Sequence, residues 1–197
     1  MQPDLMRAVD VLKSGGVVAY PTDTFYGLAV DPRNPVAVGR LFALKGRDAS
    51  KPSPLIASSL DQAELAVVFG VPSRALASAF WPGPLSIVLP ARSLICVEVL
   101  GGGTTAAVRV PADDIARRLA EELGFCITAT SANLSGSPPA RSVAEIDPVV
   151  RAGVGYVVDA GTAPGGEPST IVDLTTDVPR LVRAGAVAWS RVLDFFQ

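Results

Sequence analysis

Tyr20-Pro21-Thr22-Asp23-Thr24-Phe25-Tyr26-Gly27-Leu28 is the stretch from which the rest of the chain is read. Just before it, Val17-Val18-Ala19-Tyr20 forms a short apolar run that reads as a buried strand, ended by Pro21. Two threonines, an aspartate and a tyrosine then follow in close succession. Further on, Lys45-Gly46-Arg47 sits just past a helical pattern. Hydroxyls at a strand end, faced by a Lys/Arg pair from a helix end, suit a small zwitterion beside a phosphate.

Outward from this stretch, local signals place the neighbouring elements. Upstream, residues 4–14 carry Leu5, Val9 and Leu12 at helical spacing, and Gly15-Gly16 supplies a stop. Downstream, Asp31-Pro32-Arg33 is a turn. Asn34 is then an N-cap with Pro35 at the first helical position. That helix buries Val38, Leu41 and Phe42 and ends at Lys45-Gly46, with Lys45 on the face of Leu41 and so beside the core. A strand is expected at 55–57, helices at 61–68 and 72–80, and a strand at 86–89. Residues 91–105, with Gly101-Gly102-Gly103, are expected to be a mobile loop.

A strand at 106–110 leads to a helix at 113–123 with Ile115, Leu119 and Leu123 inward. The strand 126–130 feeds Ser131-Ala132-Asn133-Leu134-Ser135-Gly136. Three more short strands (156–159, 169–174, 180–183) and a helix at 187–196 complete the chain. Strands and helices interleave, but some neighbouring strands lack a helix between them. The expected class is therefore α/β (α+β) with a mixed sheet, in one domain over residues 1–197.

The bulk numbers exclude several functions. With 49 % hydrophobic residues, a core is easily built. A net charge of −2 argues against coating nucleic acid by charge alone, while a local basic pocket remains open. The 14 Arg against 3 Lys suit fork-like binding of carboxylate and phosphate, or reflect plain composition. Cys96 and Cys126 form no metal-ligand spacing and read as buried reduced thiols of a cytosolic protein. The N-terminus has Asp4 and no long apolar region, so no signal peptide is expected. No apolar run is long enough to span a bilayer. The sequon Asn133-Leu134-Ser135 is read as coincidence. The chain has no histidine, which removes Ser-His-Asp and Cys-His nucleophiles, histidine-ligated metals and a histidine general base. An enzyme built from this chain works by positioning and electrostatics, or with Asp, Lys, Tyr or the substrate as base.

Taken singly, the polar motifs have plain structural readings. Thr22 and Thr24 fit a turn at a strand end, Lys45 and Arg47 a solvated helix end, Ser131 and Asn133 an N-cap. The triple glycine lacks the lysine of a P-loop and reads as a flexible turn, and Ser131 stands in no G-x-S-x-G elbow. Arg109 is harder to dismiss. It interrupts the apolar run Ala106-Ala107-Val108-Arg109-Val110 and must find an anion or solvent. Groups at the strand ends of an α/β sheet converge in one crevice.

Seven segments in order resemble the threonylcarbamoyl-AMP synthase (YrdC/Sua5-like) family. They are Pro21 to Leu28, Lys45-Gly46-Arg47, Trp81-Pro82-Gly83-Pro84-Leu85, Ala107 to Pro111, Thr130 to Gly136, Pro168 to Asp173 and Leu181-Val182-Arg183-Ala184-Gly185. They span nearly the whole chain, in the short single-domain form. The resemblance implies a twisted mixed parallel and antiparallel sheet flanked by helices around a basic concave cavity. It also implies a nucleotidyltransferase that condenses L-threonine, bicarbonate and ATP into threonylcarbamoyl-AMP and pyrophosphate, with Mg²⁺ bound with ATP. The product serves the t6A modification of tRNA. Downstream tRNA threonylcarbamoyl-transfer proteins are then the partners, and whether the chain itself binds tRNA weakly is left open.

By the same resemblance, Thr22, Arg109 and Ser169 hold threonine, with Arg109 on its carboxylate. Lys45 and Arg47 are the catalytic pair on the phosphates. Thr105, Ser131, Asn133, Ser142 and Arg183 join them on the nucleotide side. Two departures stand out: Asp48 replaces the proline that usually follows the arginine, and the histidine many members carry after the next strand is missing. A carbamoyl-transfer domain of the same fold and a non-catalytic RNA-binding module are the alternatives. The acidic balance and the 6 % aromatic content count against the RNA module, since few stacking platforms are present.

Overall fold

Two mixed sheets, linked through a single residue, carry the chain in the computed structural model, which describes residues 4–48 and 50–196. The elements run α1 (Leu5–Lys13), β1 (Val18–Tyr20), β2 (Gly27–Ala29), α2 (Pro35–Lys45), β3 (Leu55–Ile56), α3 (Leu60–Ala63), α4 (Val71–Phe80), β4 (Leu85–Pro90) and β5 (Thr105–Arg109). Then come α5 (Asp114–Leu123), β6 (Ile127–Thr128), β7 (Thr130–Ser131), α6 (Pro148–Gly153), β8 (Tyr156–Val157), β9 (Thr170–Asp173), β10 (Arg180–Arg183) and α7 (Trp189–Asp194). The first sheet has the order β7-β2-β1-β8 and the second β10-β9-β4-β5-β3-β6.

Helix boundaries follow their caps. The Asp4 carboxylate accepts from Arg7 N to open α1, and Asn34 Oδ1 accepts from Val36 N and Ala37 N to open α2 behind Pro35. Gly46 closes α2 in the left-handed region (φ 56°), where a side chain would be strained. Asp113 caps α5, which buries Ala116, Leu119, Ala120 and Leu123.

The expected strand at 126–130 proves to be two strands in different sheets. β6 pairs with β3 in the larger sheet, and β7 pairs with β2 in the smaller. Ala129 makes the passage, its N–H donating to Pro54 O at 2.7 Å. Thr128 binds the seam: its hydroxyl accepts from Val30 N at 3.0 Å, and its carbonyl accepts from the Tyr20 hydroxyl at 3.2 Å. The single mixed sheet expected from the pattern is thus two, with their strand ends brought together at this seam.

Two further expectations change. The helix foreseen at 61–68 stops at Ala63, because Val67 bridges Ala91 and Val68 N donates to Pro90 O at 2.9 Å. Turn bonds run on to Val67 N, and from Val68 onward pairing to the neighbouring strand end takes their place. The segment foreseen as a mobile loop is anchored. Ile95 and Val99 are buried in the core, Cys96 N donates to Pro32 O, and Val99 O accepts from Ser53 N. Apolar side chains at those two positions outweigh the three glycines beside them.

The main core packs both sheets against α2, α4 and α6 through residues such as Leu28, Leu41, Leu76, Ile87 and Val150. A second cluster joins α1 to α5 through Leu5, Val9, Leu12, Leu119 and Leu123. Truncating such a side chain to alanine costs about 2–5 kcal/mol. β10 closes the larger sheet as an edge strand exposed along its whole length. Among the described residues no helix is long and apolar enough to cross a membrane.

Candidate functional site

The strand ends that meet at the seam enclose a cavity of about 580 Å³. Tyr20, Gly27 and Ser131 reach it from the smaller sheet, and Ile56, Arg109, Ile171 and Arg183 from the larger. This volume lies within the ordinary range for a small-molecule site. Three arginines (Arg47, Arg109 and Arg183) stand on its wall, with no aspartate or glutamate among the lining residues. The charged side chains on the wall are thus all cationic, although the chain as a whole is slightly acidic.

Arg109 ends β5 and is only 7 % exposed. Its Nη1 donates to both Asp23 carboxylate oxygens at 2.7 Å, so the turn after β1 holds the guanidinium from one side. Among the described residues its other N–H groups have no partner, and the side chain borders the cavity. Arg183 belongs to the same group. It donates through Nε and Nη2 to Ser169 O at 3.1 and 2.7 Å, and through Nη2 to Ser169 Oγ at 3.0 Å. Burial first, and the Arg109 charge second, lower the Arg183 pKa. Two guanidiniums that repel each other across a partly dry cavity gain by sharing an anion.

Thr22 is buried on the same wall, but its hydroxyl is part of the turn. It donates to Phe25 O at 2.8 Å and accepts from Thr24 N at 3.1 Å. The turn reading of this residue is realised, and the residue also lines the cavity. Thr24, two residues on, also lines the cavity, with its Oγ1 3.2 Å from that of Thr22.

A second group surrounds Ser131 and Asn133. Arg47 donates to Thr130 Oγ1 at 3.2 Å and to the carbonyls of Lys51 and Pro52, pinning the segment that leaves α2. The Asn133 amide nitrogen donates to Leu134 O at 2.8 Å and Ser137 O at 2.5 Å. Its Oδ1 is buried and has no hydrogen-bond partner among the described residues, although the residue as a whole borders the cavity.

Lys45 lies behind this group rather than on the wall. Its ammonium, in a residue 2 % exposed, donates to the main-chain carbonyls of Ser131 and Asn133, the latter at 2.6 Å. Burial, and then the neighbouring Arg47 charge, lower its pKa to about 8. Where a phosphate contact was foreseen for Lys45, the ammonium in this structure holds the 131–133 segment.

Thr105 and Ser142 are also outside the cavity wall. Thr105 begins β5 opposite Pro90, four residues before Arg109 and so roughly 13 Å along the strand. Ser142 precedes the 3-10 turn at Val143–Glu145 and gives its carbonyl to Glu145 N. The other foreseen residues, Thr22, Arg47, Arg109, Ser131, Asn133, Ser169 and Arg183, converge on the cavity. Among the described residues there is no cluster of three or more His, Cys, Asp or Glu suited to hold a metal ion. The donor set fits a cation carried by phosphate oxygens rather than one caged by side chains.

The Sua5_yciO_yrdC family model, described as telomere recombination, matches residues 10–185. A protein of Thiobacillus denitrificans named threonylcarbamoyl-AMP synthase is 44 % identical over 166 residues, 84 % of this chain and 88 % of that protein. A protein of the same name from Pyrococcus abyssi is 38 % identical over 91 % of this chain, which spans 53 % of its length. The crystal structure of P. abyssi Sua5 complexed with L-threonine superposes with a TM-score of 0.92 at 34 % identity. It covers 97 % of this chain and 56 % of that one.

Proposed function

The chain belongs to the Sua5/YciO/YrdC family, and from that membership we propose that it is a threonylcarbamoyl-AMP synthase, a nucleotidyltransferase of the cytoplasm that uses L-threonine, bicarbonate and ATP. One observation carries the reading to this chain's own residues. The Arg109–Ser169–Arg183 group and the Arg47–Ser131–Asn133 group share one cavity.

On this reading, the free N–H groups of Arg109 take the threonine carboxylate, with Ser169 and the Thr22 turn beside it. Arg47 and the Ser131–Asn133 segment receive the nucleotide. Lys45 acts through that segment, holding its carbonyls from behind. Mg²⁺ carried in with ATP would supply charge neutralisation at the phosphates, beside Arg47.

The reaction needs no enzyme nucleophile. The threonine amine adds to CO2 derived from bicarbonate, losing a proton to give a carbamate. A carbamate oxygen then attacks the α-phosphorus, and pyrophosphate leaves with the electron pair. The protein's part is close approach, exclusion of water and positive charge at the developing anions. An arginine-lined, histidine-free cavity is suited to that part. The adenylate then passes to tRNA threonylcarbamoyl-transfer proteins.

The test is pyrophosphate release from ATP with and without L-threonine. Release that depends on threonine and bicarbonate supports the synthase. Turnover with carbamoyl phosphate in place of threonine would favour carbamoyl transfer. Salt-sensitive RNA binding without turnover would favour a binding module.

A further inference from the structure

Ser86, on β4, is 2 % exposed and lies outside the cavity wall. Its hydroxyl has one partner among the described residues, Ser169 Oγ at 3.0 Å. The parallel register of β4 and β9, which places Ser86 opposite Ile171, brings the two serines together. Ser169 does stand on the cavity wall, where Arg183 also donates to its Oγ at 3.0 Å.

The proton inventory of these groups has one satisfied solution. An arginine only donates, so Ser169 Oγ accepts from Arg183. If Ser169 also donated to Ser86, the Ser86 proton would be buried with no acceptor, a costly arrangement. If Ser86 donates to Ser169, both lone pairs of Ser169 Oγ are engaged. Its own proton then has one direction left, into the cavity.

We propose that Ser86 is a positioning residue that locks Ser169 as a hydrogen-bond donor toward the ligand, so that Ser169 selects an anionic or carbonyl oxygen and rejects an ammonium. Resting on the synthase reading, this orients the threonine. Its carboxylate lies against Ser169 and Arg109, and its amine is directed away, free to lose a proton and react.

Two measurements test the proposal, one without substrate. In thermal unfolding of the ligand-free protein, Ser169→Ala lowers Tm by orphaning the Ser86 proton. Adding Ser86→Ala to that variant recovers part of the loss, because the orphaned donor is gone. A double variant no more stable than Ser169→Ala, or a Ser86→Ala single variant more stable than wild type, overturns the proposal.

In threonine titrations by calorimetry, Ser86→Ala weakens threonine about fivefold, leaves ATP affinity unchanged, and is rescued by Ser86→Thr. Equal weakening of threonine and ATP, or none for threonine, also overturns it. If the wild type does not bind threonine at all, the synthase reading fails, and the unfolding series still decides the role of Ser86.

Discussion

Lys45 Nζ, at the last turn of α2, donates to the Asn133 carbonyl at 2.6 Å, and Ser135 N donates back to Lys45 O at 3.0 Å. The helix end and the Ser131–Ser135 segment are therefore tied in both directions. Asn133, which borders the cavity, is held in place by a lysine that lies behind the wall.

Lys45→Met leaves the Asn133 carbonyl buried without its donor. Turnover is expected to fall about 10²-fold, the loss typical of one preorganised electrostatic contact. Tm falls as well, because the segment is loosened in the free protein. Steady-state kinetics beside thermal unfolding check this, and an unchanged Tm would remove the clamp.

The lowered Lys45 pKa gives a pH signature. Its folded value of about 8 lies below the ordinary 10.5, so between these values the unfolded chain binds more protons than the folded one. The penalty of burying the ammonium is constant below about pH 8 and is relieved as pH rises toward 10.5. Relative to Lys45→Gln, the wild type should gain unfolding free energy on going from pH 8 toward 10. Denaturant titrations of both proteins at the two pH values measure the difference. Parallel profiles would contradict it.

Asp23→Asn removes the charged partner of a nearly buried guanidinium. A stability loss of about 3 kcal/mol is expected, the lower end of the range for breaking a buried pair from one side. Threonine affinity should fall more than tenfold as Arg109 loses its fixed orientation, while ATP affinity changes little. Chemical denaturation and calorimetric titration of the two ligands separate these effects.

Gly185→Ala tests a close backbone approach. A Cβ at Gly185 would stand 2.7 Å from Thr170 N and nearer still to Pro168 O, so the chain carrying Ser169 and Arg183 would have to shift. Overpacking of this kind costs about 1–3 kcal/mol. The variant should fold with reduced stability and lose threonine binding, measured by unfolding and titration.

What was legible in the sequence was local. Asn34-Pro35 and Gly46 bound α2 from three residues, and Asp113 opened α5, because caps act within one turn. Asp147-Pro148 carries the same signal and opens α6, a helix the sequence reading lacks. β2 and the division of β6 from β7 were not legible, since strands of two or three residues show no period. The site followed the same division. Arg109 and Ser169 could be named as candidates from their motifs. The pairing of Arg109 with Asp23, and of Ser169 with Ser86, depends on tertiary contacts across more than eighty residues. Thr105 was misplaced because strand membership does not say which strand end faces the cavity; Thr130, which accepts from Arg47, stands there.

The most direct test supplies ATP, L-threonine and ¹⁴C-bicarbonate with inorganic pyrophosphatase and resolves the nucleotides by chromatography. A labelled adenylate should form only when threonine is present and be lost in Arg109→Ala. A threonine-independent product, or none under conditions where the folded protein binds ATP, would contradict it.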